Sequence, residues 1–323
     1  MFAADRLQIT VLVENSIDIL LPNTSESRRT GLLEHFDKKR TPLLAENGFS
    51  LLLELFLGES STTVLFDTGL TDRVILHNMA ALGVDPSQID QIVLSHAHLD
   101  HHGGMEGVIR AIGHDVPVVT HPDAFLPRYI MSGIGTVSPF YNSALNRRVL
   151  EDAGARFVLS RDPIPLGPGA ITTGEIVRST DFEGPPTEAV RAGHTSGIGQ
   201  VRDGHLVPDL VMDEVGIIVN LANAGLVVIT GCGHAGIINT VAQARRLTDV
   251  EPIAAILGGF HLGFPGTPDR CRTETVSALA ELQPAFIAPM HCTGFRAMAE
   301  VAATMPEQFF QYSVGTRITF PSG

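Results

Sequence analysis

Three observations predict a layered α/β fold. Apolar, strand-like runs alternate with segments of helical spacing, several of those runs end abruptly in polar side chains, and 44% of the 323 residues are hydrophobic against 18% charged, which is enough for a large core. Residues 8–13 alternate and are rich in β-branched side chains, and 49–57 and 62–66 repeat the apolar signal around the turn-forming Gly58-Glu59-Ser60, so these are the expected first strands. Residues 20–46 are polar, carry Pro22 and Pro42, and read as a surface excursion. The spacing of Val74, Ile75, Met79 and Leu82 predicts a helix over 71–82, stopped by Gly83. A strand over 92–94, a helix over 105–112 and a short strand over 117–120 follow.

From 121 to 209 repeated prolines loosen the pattern. Residues 146–152 read as helical, 170–178 as strand-like and 179–208 mainly as loop, and the whole stretch is expected to form a cap inserted into one domain spanning 1–323. Order returns with two strands, 215–220 and 226–230, joined by the turn Asn223-Ala224-Gly225. A helix over 236–247, a buried strand over 253–257, a helix over 273–282, a buried strand over 285–288, a helix over 295–303 and a strand over 313–320 complete the chain.

Chemistry is concentrated in Ser95 to Gly104, SHAHLDHHGG, directly after an apolar run. On an extended strand end residues two apart share a side, so His96 and His98 can hold one cation together. Asp100 and His101 are adjacent and face different ways, which offers ligands to a second cation as the chain bends. Gly103 and Gly104 are expected to permit that bend through unusual dihedral angles. Imidazole mixed with carboxylate suits zinc, iron or manganese in an open catalytic site, whereas structural zinc sites are closed and rich in Cys. His102 reads as a bystander.

Three later strand ends terminate in metal-capable groups: ITGCGH with Cys232 and His234, ILGGFH with His261, and IAPMHCTG with His291. Ligands collect at the carboxyl ends of strands in α/β sheets, which groups these with the first motif. Cys232, His234 and His291 are read as ligands, His261 as a group that faces the substrate or supports a ligand, and Cys292 as packing. Asp67, at another strand end, is expected to support the ligand turn rather than touch metal. His194, His261, Phe182 and Phe260 are candidates to line a substrate pocket. Arg128, Arg178 and Arg191 could receive an anionic group, although solvated surface arginines are the commoner outcome.

The formal net charge of −13 argues against a nucleic-acid partner and favours a small-molecule substrate. Three cysteines, Cys232, Cys271 and Cys292, are too few for a disulfide framework and suit a reducing compartment. Asp5, Arg6 and Glu14 interrupt any signal-peptide core, and no apolar stretch reaches a bilayer span, so the expected location is the cytoplasm, away from membranes.

These motifs together resemble the metallo-β-lactamase superfamily. LFDTG with Asp67 matches its first motif. His96, His98, Asp100 and His101 match H-x-H-x-D-H, Cys232 stands at the bridging strand-end position, and His291 lies in the late Pro-x-His loop. The resemblance implies an αββα sandwich with two metal ions, zinc first and iron or manganese as alternatives, in the cleft between two sheets. The family's middle His has no unmistakable counterpart among His194, His205, Asp209 and Asp213. GCGH, GGFHL and PMHCTG with TTGEI are most similar to the subgroup named for a dihydropterin-linked ribofuranosylaminobenzene phosphate synthase, where His234 is expected to replace it. The leading expectation is a hydrolase that uses metal-activated water, with Asp100 aligning the nucleophile. The alternatives are a transferase joining a pterin methyl group to an arylamine, and a non-catalytic metal-binding sensor.

Overall fold

A computed structural model describes residues 3–37, 39–131, 137–139, 145–184, 197–264 and 266–321. Two mixed sheets stack face to face. The first is eight-stranded and reads, from edge to edge, β2 (Ser27–Arg28), β18 (Arg317–Pro321), β1 (Arg6–Val13), β3 (Ser50–Leu57), β4 (Ser60–Phe66), β5 (Gln91–Val93), β6 (Val116–Thr120) and β9 (Ala155–Leu159). The second is six-stranded: β10 (Pro165–Gly167), β11 (Ala170–Thr172), β14 (Ile217–Leu221), β15 (Gly225–Thr230), β16 (Ile253–Gly259) and β17 (Ile287–Met290).

Alternation along each strand sends one set of side chains inward and the other outward. The inward set, including Leu7, Ile9, Val11, Leu51, Leu53, Val227, Ile229 and Leu257, interleaves into one buried core between the sheets. On the outer face of the first sheet, Leu12, Leu52, Leu65 and Ile92 pack against Ile75, Met79, Val108, Ile109 and Leu150 of the helices Asp72–Leu82, Met105–Ile112 and Arg147–Ala153. Val228, Ile256 and Ile287 do the same on the second sheet against Val241, Leu279 and Val301 of Ile237–Thr248, Asp269–Leu282 and Gly294–Thr304. The layering is helix, sheet, sheet, helix, the sandwich that the motifs imply.

Strand direction positions the site. β4, β5, β6 and β9 run parallel in one sheet and β15, β16 and β17 in the other. Their carboxyl ends therefore gather along one edge of the sandwich. Phe66 leads into Asp67, Val93 into Ser95 and His96, Thr230 into Cys232, Gly259 into His261, and Met290 into His291.

Several elements differ from expectation. Within 179–208, expected mainly as loop, the described part from 197 onward is ordered: β12 (Gly197–Arg202) and β13 (His205–Pro208) form a hairpin, joined to β7 (Arg128–Met131) and β8 (Val137–Pro139) in a third, four-stranded sheet, while 185–196 lie outside the described residues. Asp203 and Gly204 both adopt positive φ, 52° and 78°, the turn that a tight hairpin requires, and the Asp-Gly pair was its legible signal. The strand expected over 170–178 stops at Thr172, and the last strand begins at Arg317 because Gly315 turns the chain at φ 82°. Gly103 and Gly104 do not supply unusual dihedrals; their φ values are −61° and −86°. They allow close approach instead, since a Cβ on Gly103 would lie 2.0 Å from the Leu70 carbonyl oxygen and one on Gly104 2.4 Å from that of Thr68. Among the described residues no helix is long and apolar enough to cross a membrane.

Candidate metal centre

His96 and His98 follow β5 in extended backbone. His98 then caps the one-turn helix Leu99–His102, which carries Asp100 and His101 around the bend. Cys232 and His234 arrive from β15 and His291 from β17. The result is five imidazoles in one cluster: ring centroids lie 4.6 Å apart for His96 and His98, 4.2 Å for His96 and His101, 4.8 Å for His96 and His234, and 5.0 Å for His101 and His291. Two candidate triads that contain the clustered imidazoles share one sulfur. His96, Cys232 and His234 form the first and His101, Cys232 and His291 the second, each with its donor atoms within 4.8 Å of one another. His98 stands beside the first triad, 4.9 Å from the His234 ring, and Asp100 beside the second, its Oδ2 3.3 Å from His291 Nε2.

The hydrogen bonds around the rings fix their tautomers. Ser95 Oγ donates to Asp67 Oδ2 at 2.7 Å, so it is left to accept from His96 Nδ1 at 2.9 Å. His101 Nδ1 donates to Asp67 Oδ2 at 2.6 Å, and His291 Nδ1 faces Asn15 Oδ1 at 3.3 Å. In each ring Nδ1 carries the hydrogen-bonded proton and Nε2 is the atom turned to the centre of the cluster, as in metal-binding histidines held by a carboxylate or amide. His101 Nε2 lies 3.2 Å from Cys232 Sγ.

Electrostatics divide the rings into two kinds. Burial, reinforced by neighbouring imidazoles, pushes His96 and His234 well below the usual histidine range, so both offer lone pairs. Their buried Nε2 atoms have no hydrogen-bond partner among the described residues. Burial also lowers His101 and His291, but Asp100 and Asp67 more than offset this for His101, and Asp100 chiefly does so for His291, which rises to about 9, so these two rings favour a second proton, on Nε2, that a cation would displace. Orphaned lone pairs packed around a thiol fit a cation of borderline softness.

Clamps hold the ligand turns, and reading motifs alone missed them. Glu214 accepts the backbone N–H groups of Gly233, His234 and Ala235 at 2.6, 2.9 and 2.5 Å. Glu14 Oε1 accepts the His291 N–H at 3.0 Å, and Asn15 Nδ2 donates to the His291 carbonyl at 3.0 Å. Burial raises both carboxyls. Glu14 and Asn15 follow the apolar run of β1, so they carry the same strand-end signal as the ligands. Asp67, His261 and His291 are held at φ 60°, 51° and 49°, a left-handed conformation costly for side chains other than glycine.

His261 lies between His234, tilted at 45° with centroids 4.0 Å apart, and the half-exposed Phe264, on which it stacks at 4.4 Å. Cys292 is more than packing: it donates to the Cys232 carbonyl at 3.0 Å and groups with Cys232 and His261. Arg128 is neither an anion receptor nor a surface residue. It is buried, bonding Asp209 and Asp213 at 2.6 Å each, and Asp213 also accepts the Ala97 N–H at 2.9 Å. Asp209 lies 3.8 Å from His98 Nε2, whereas His205 is exposed on the hairpin. Arg178 turns inward to the carbonyls of Leu210 and Val211, and Phe260 is core. His102 is buried, and its pKa falls to about 4 because of that burial. His194 and Arg191 lie outside the described residues.

The family model for the metallo-beta-lactamase superfamily matches residues 45–205. The chain is 33% identical over 300 residues to the 7,8-dihydropterin-6-methyl-4-(beta-D-ribofuranosyl)-aminobenzene-5'-phosphate synthase of Methanocaldococcus jannaschii, covering 90% of this chain and 95% of that one. An uncharacterized protein of the same organism is 30% identical over 259 residues, 80% of this chain and 88% of the other. Among solved structures, a metal-dependent hydrolase of the beta-lactamase superfamily superposes with a TM-score of 0.70 at 26% identity, covering 98% of this chain and all of that one.

Proposed function

The chain belongs to the metallo-beta-lactamase superfamily, and from that membership we propose that it is a metal-dependent hydrolase acting on an ester, lactone, phosphoester or related bond of a small molecule. The single observation that carries this reading is the pair of triads meeting at Cys232, with imidazole lone pairs converging from two sheets. His96, His98 and His234 would hold one ion, Asp100, His101 and His291 the other, and Cys232 would serve both. Thiolate with imidazole favours zinc or iron over manganese. Such ions supply an acidified water at neutral pH and polarise the scissile bond.

The chain's own residues do the rest. The Asp100 side chain is 28% exposed, so its carboxylate can hold and align an incoming water by accepting a hydrogen bond from it. Asp67 and Asn15 keep the rings of His101 and His291 in the tautomers that present Nε2. Glu14 and Glu214 fix the backbone of the two turns, so little reorganises when substrate arrives. His261 and Phe264 form a flat wall against which a substrate can lie.

The test is removal of metal by a chelator, reconstitution with zinc, iron or manganese, and turnover on lactone, thioester and phosphodiester substrates. Undiminished turnover by metal-free protein would refute the proposal. A second reading is supported by the synthase of Methanocaldococcus jannaschii, at 33% identity: the same site joins the methyl carbon of a pterin diphosphate to an arylamine nitrogen, the C–N bond forming as diphosphate leaves and the nitrogen gives up a proton. Incubation with a pterin diphosphate and an aminobenzene substrate separates the two, since condensation without hydrolysis would favour the synthase.

A further inference from the structure

Residues 28–40 contain both lysines of the chain, Lys38 and Lys39, and three arginines, in a protein whose formal charge is −13. Arg28, Arg29 and Arg40, joined by Arg317 of β18, line a cavity of about 290 Å³ in which Glu34 is the one carboxylate among the lining residues. The cavity lies beside Leu82, at the carboxyl end of the helix Asp72–Leu82. The opposite end of that helix adjoins the Asp67 turn, and its 11 residues span about 16 Å. This is a place separate from the metal centre.

Arg29 is only 8% exposed. Its guanidinium lies over the Phe310 ring, 4.2 Å from the centroid, and donates to the carbonyls of Pro22 and Gln311. Its buried Nε has no hydrogen-bond partner among the described residues. Arg317 donates to Thr10 Oγ1 at 3.2 Å, and Glu34 is taken up by Arg40 at 3.6 Å. Among the described residues neither Arg28, Arg29 nor Arg317 makes a salt bridge, although acidic side chains outnumber basic ones in the chain by 35 to 22. Four guanidinium groups against one carboxylate around a concavity leave positive charge that a bound anion would neutralise.

We propose that this cavity binds a small organic phosphate. Guanidinium forks match the oxygens of a phosphate or diphosphate group, and they outweigh the single carboxylate. The volume stands at the lower end for small-molecule pockets, enough for a phosphate group with a sugar-sized remainder.

The experiment titrates metal-loaded protein with pyrophosphate and, separately, inorganic phosphate by calorimetry. The double variant Arg28→Ala/Arg317→Ala should bind at least about tenfold more weakly while keeping its metal content and fold. A His96→Ala/His234→Ala variant should bind pyrophosphate as the wild type does. Unchanged affinity in the arginine variant, or loss of binding in the histidine variant, overturns the proposal, the latter because the probe then sits on the metals. Hydrogen exchange on the wild type gives a readout independent of any variant. Pyrophosphate should slow exchange in 28–43 and 313–318, and slowing confined to 95–101 and 232–234 refutes the assignment.

Discussion

Replacing Asp67 with Asn tests the idea that the metal centre depends on fixed tautomers. Asp67 is fully buried and accepts from Ser95 N, Ser95 Oγ and His101 Nδ1 at 2.7, 2.7 and 2.6 Å. Its φ of 60° is tolerated by Asn nearly as well as by Asp, so the backbone should survive the change. The amide keeps one oxygen for Ser95 N but turns an NH₂ toward His101 Nδ1. Two donors then face each other, and His101 is driven to carry its proton on Nε2, where it meets Cys232 Sγ at 3.2 Å instead of presenting a lone pair. Loss of such a supporting contact weakens metal affinity by about 10–100-fold, or about 1.4–2.7 kcal/mol. The protein itself should lose about 1.5–3 kcal/mol with one charge-assisted hydrogen bond. Competition with a chromophoric chelator measures affinity for each ion, and urea unfolding of the apoprotein measures stability. Wild-type affinity for both ions in Asp67→Asn would refute the tautomer argument.

Cys232→Ala removes the atom that both triads share, so both ions should bind more weakly, whereas His291→Ala should chiefly affect one; elemental analysis after dialysis distinguishes them. Arg128→Met leaves Asp209 and Asp213 as buried charges without their cation and should destabilise the fold by about 3–5 kcal/mol in urea titration. Burial pushes Glu183 up to about 7 against the N–H groups of Ile238 and Asn239 that it accepts. Because that folded value exceeds the ordinary 4.5, the folded protein binds the proton more tightly. Stability from this group is therefore fully present below about pH 4.5 and is lost as pH rises through about 7. The difference in unfolding free energy between wild type and Glu183→Gln should fall from about pH 5 to 8, and a difference that does not change with pH would refute the assignment.

The sequence by itself determined the layering and the turns that carry the candidate ligands. Apolar runs ending in Asp67, His96, Cys232, His261 and His291 are legible because a strand must bury its length and can expose polar groups only where it ends. What side chains those turns offer was readable, since imidazole and thiol groups declare their chemistry in any fold. The supports belong to the tertiary structure. Glu14, Asn15, Ser95 and Glu214 are ordinary polar residues until folding places them against a particular backbone N–H or ring nitrogen from a distant segment. The same holds for Arg128, whose two carboxylate partners lie 81 and 85 residues away. Gly103 is the sharpest instance: its sequence position announced a bend, but only packing against Leu70 revealed that the missing Cβ matters for space and not for dihedral freedom. Local pattern fixes what each segment offers, while the parallel register of strands from two sheets fixes which offers meet.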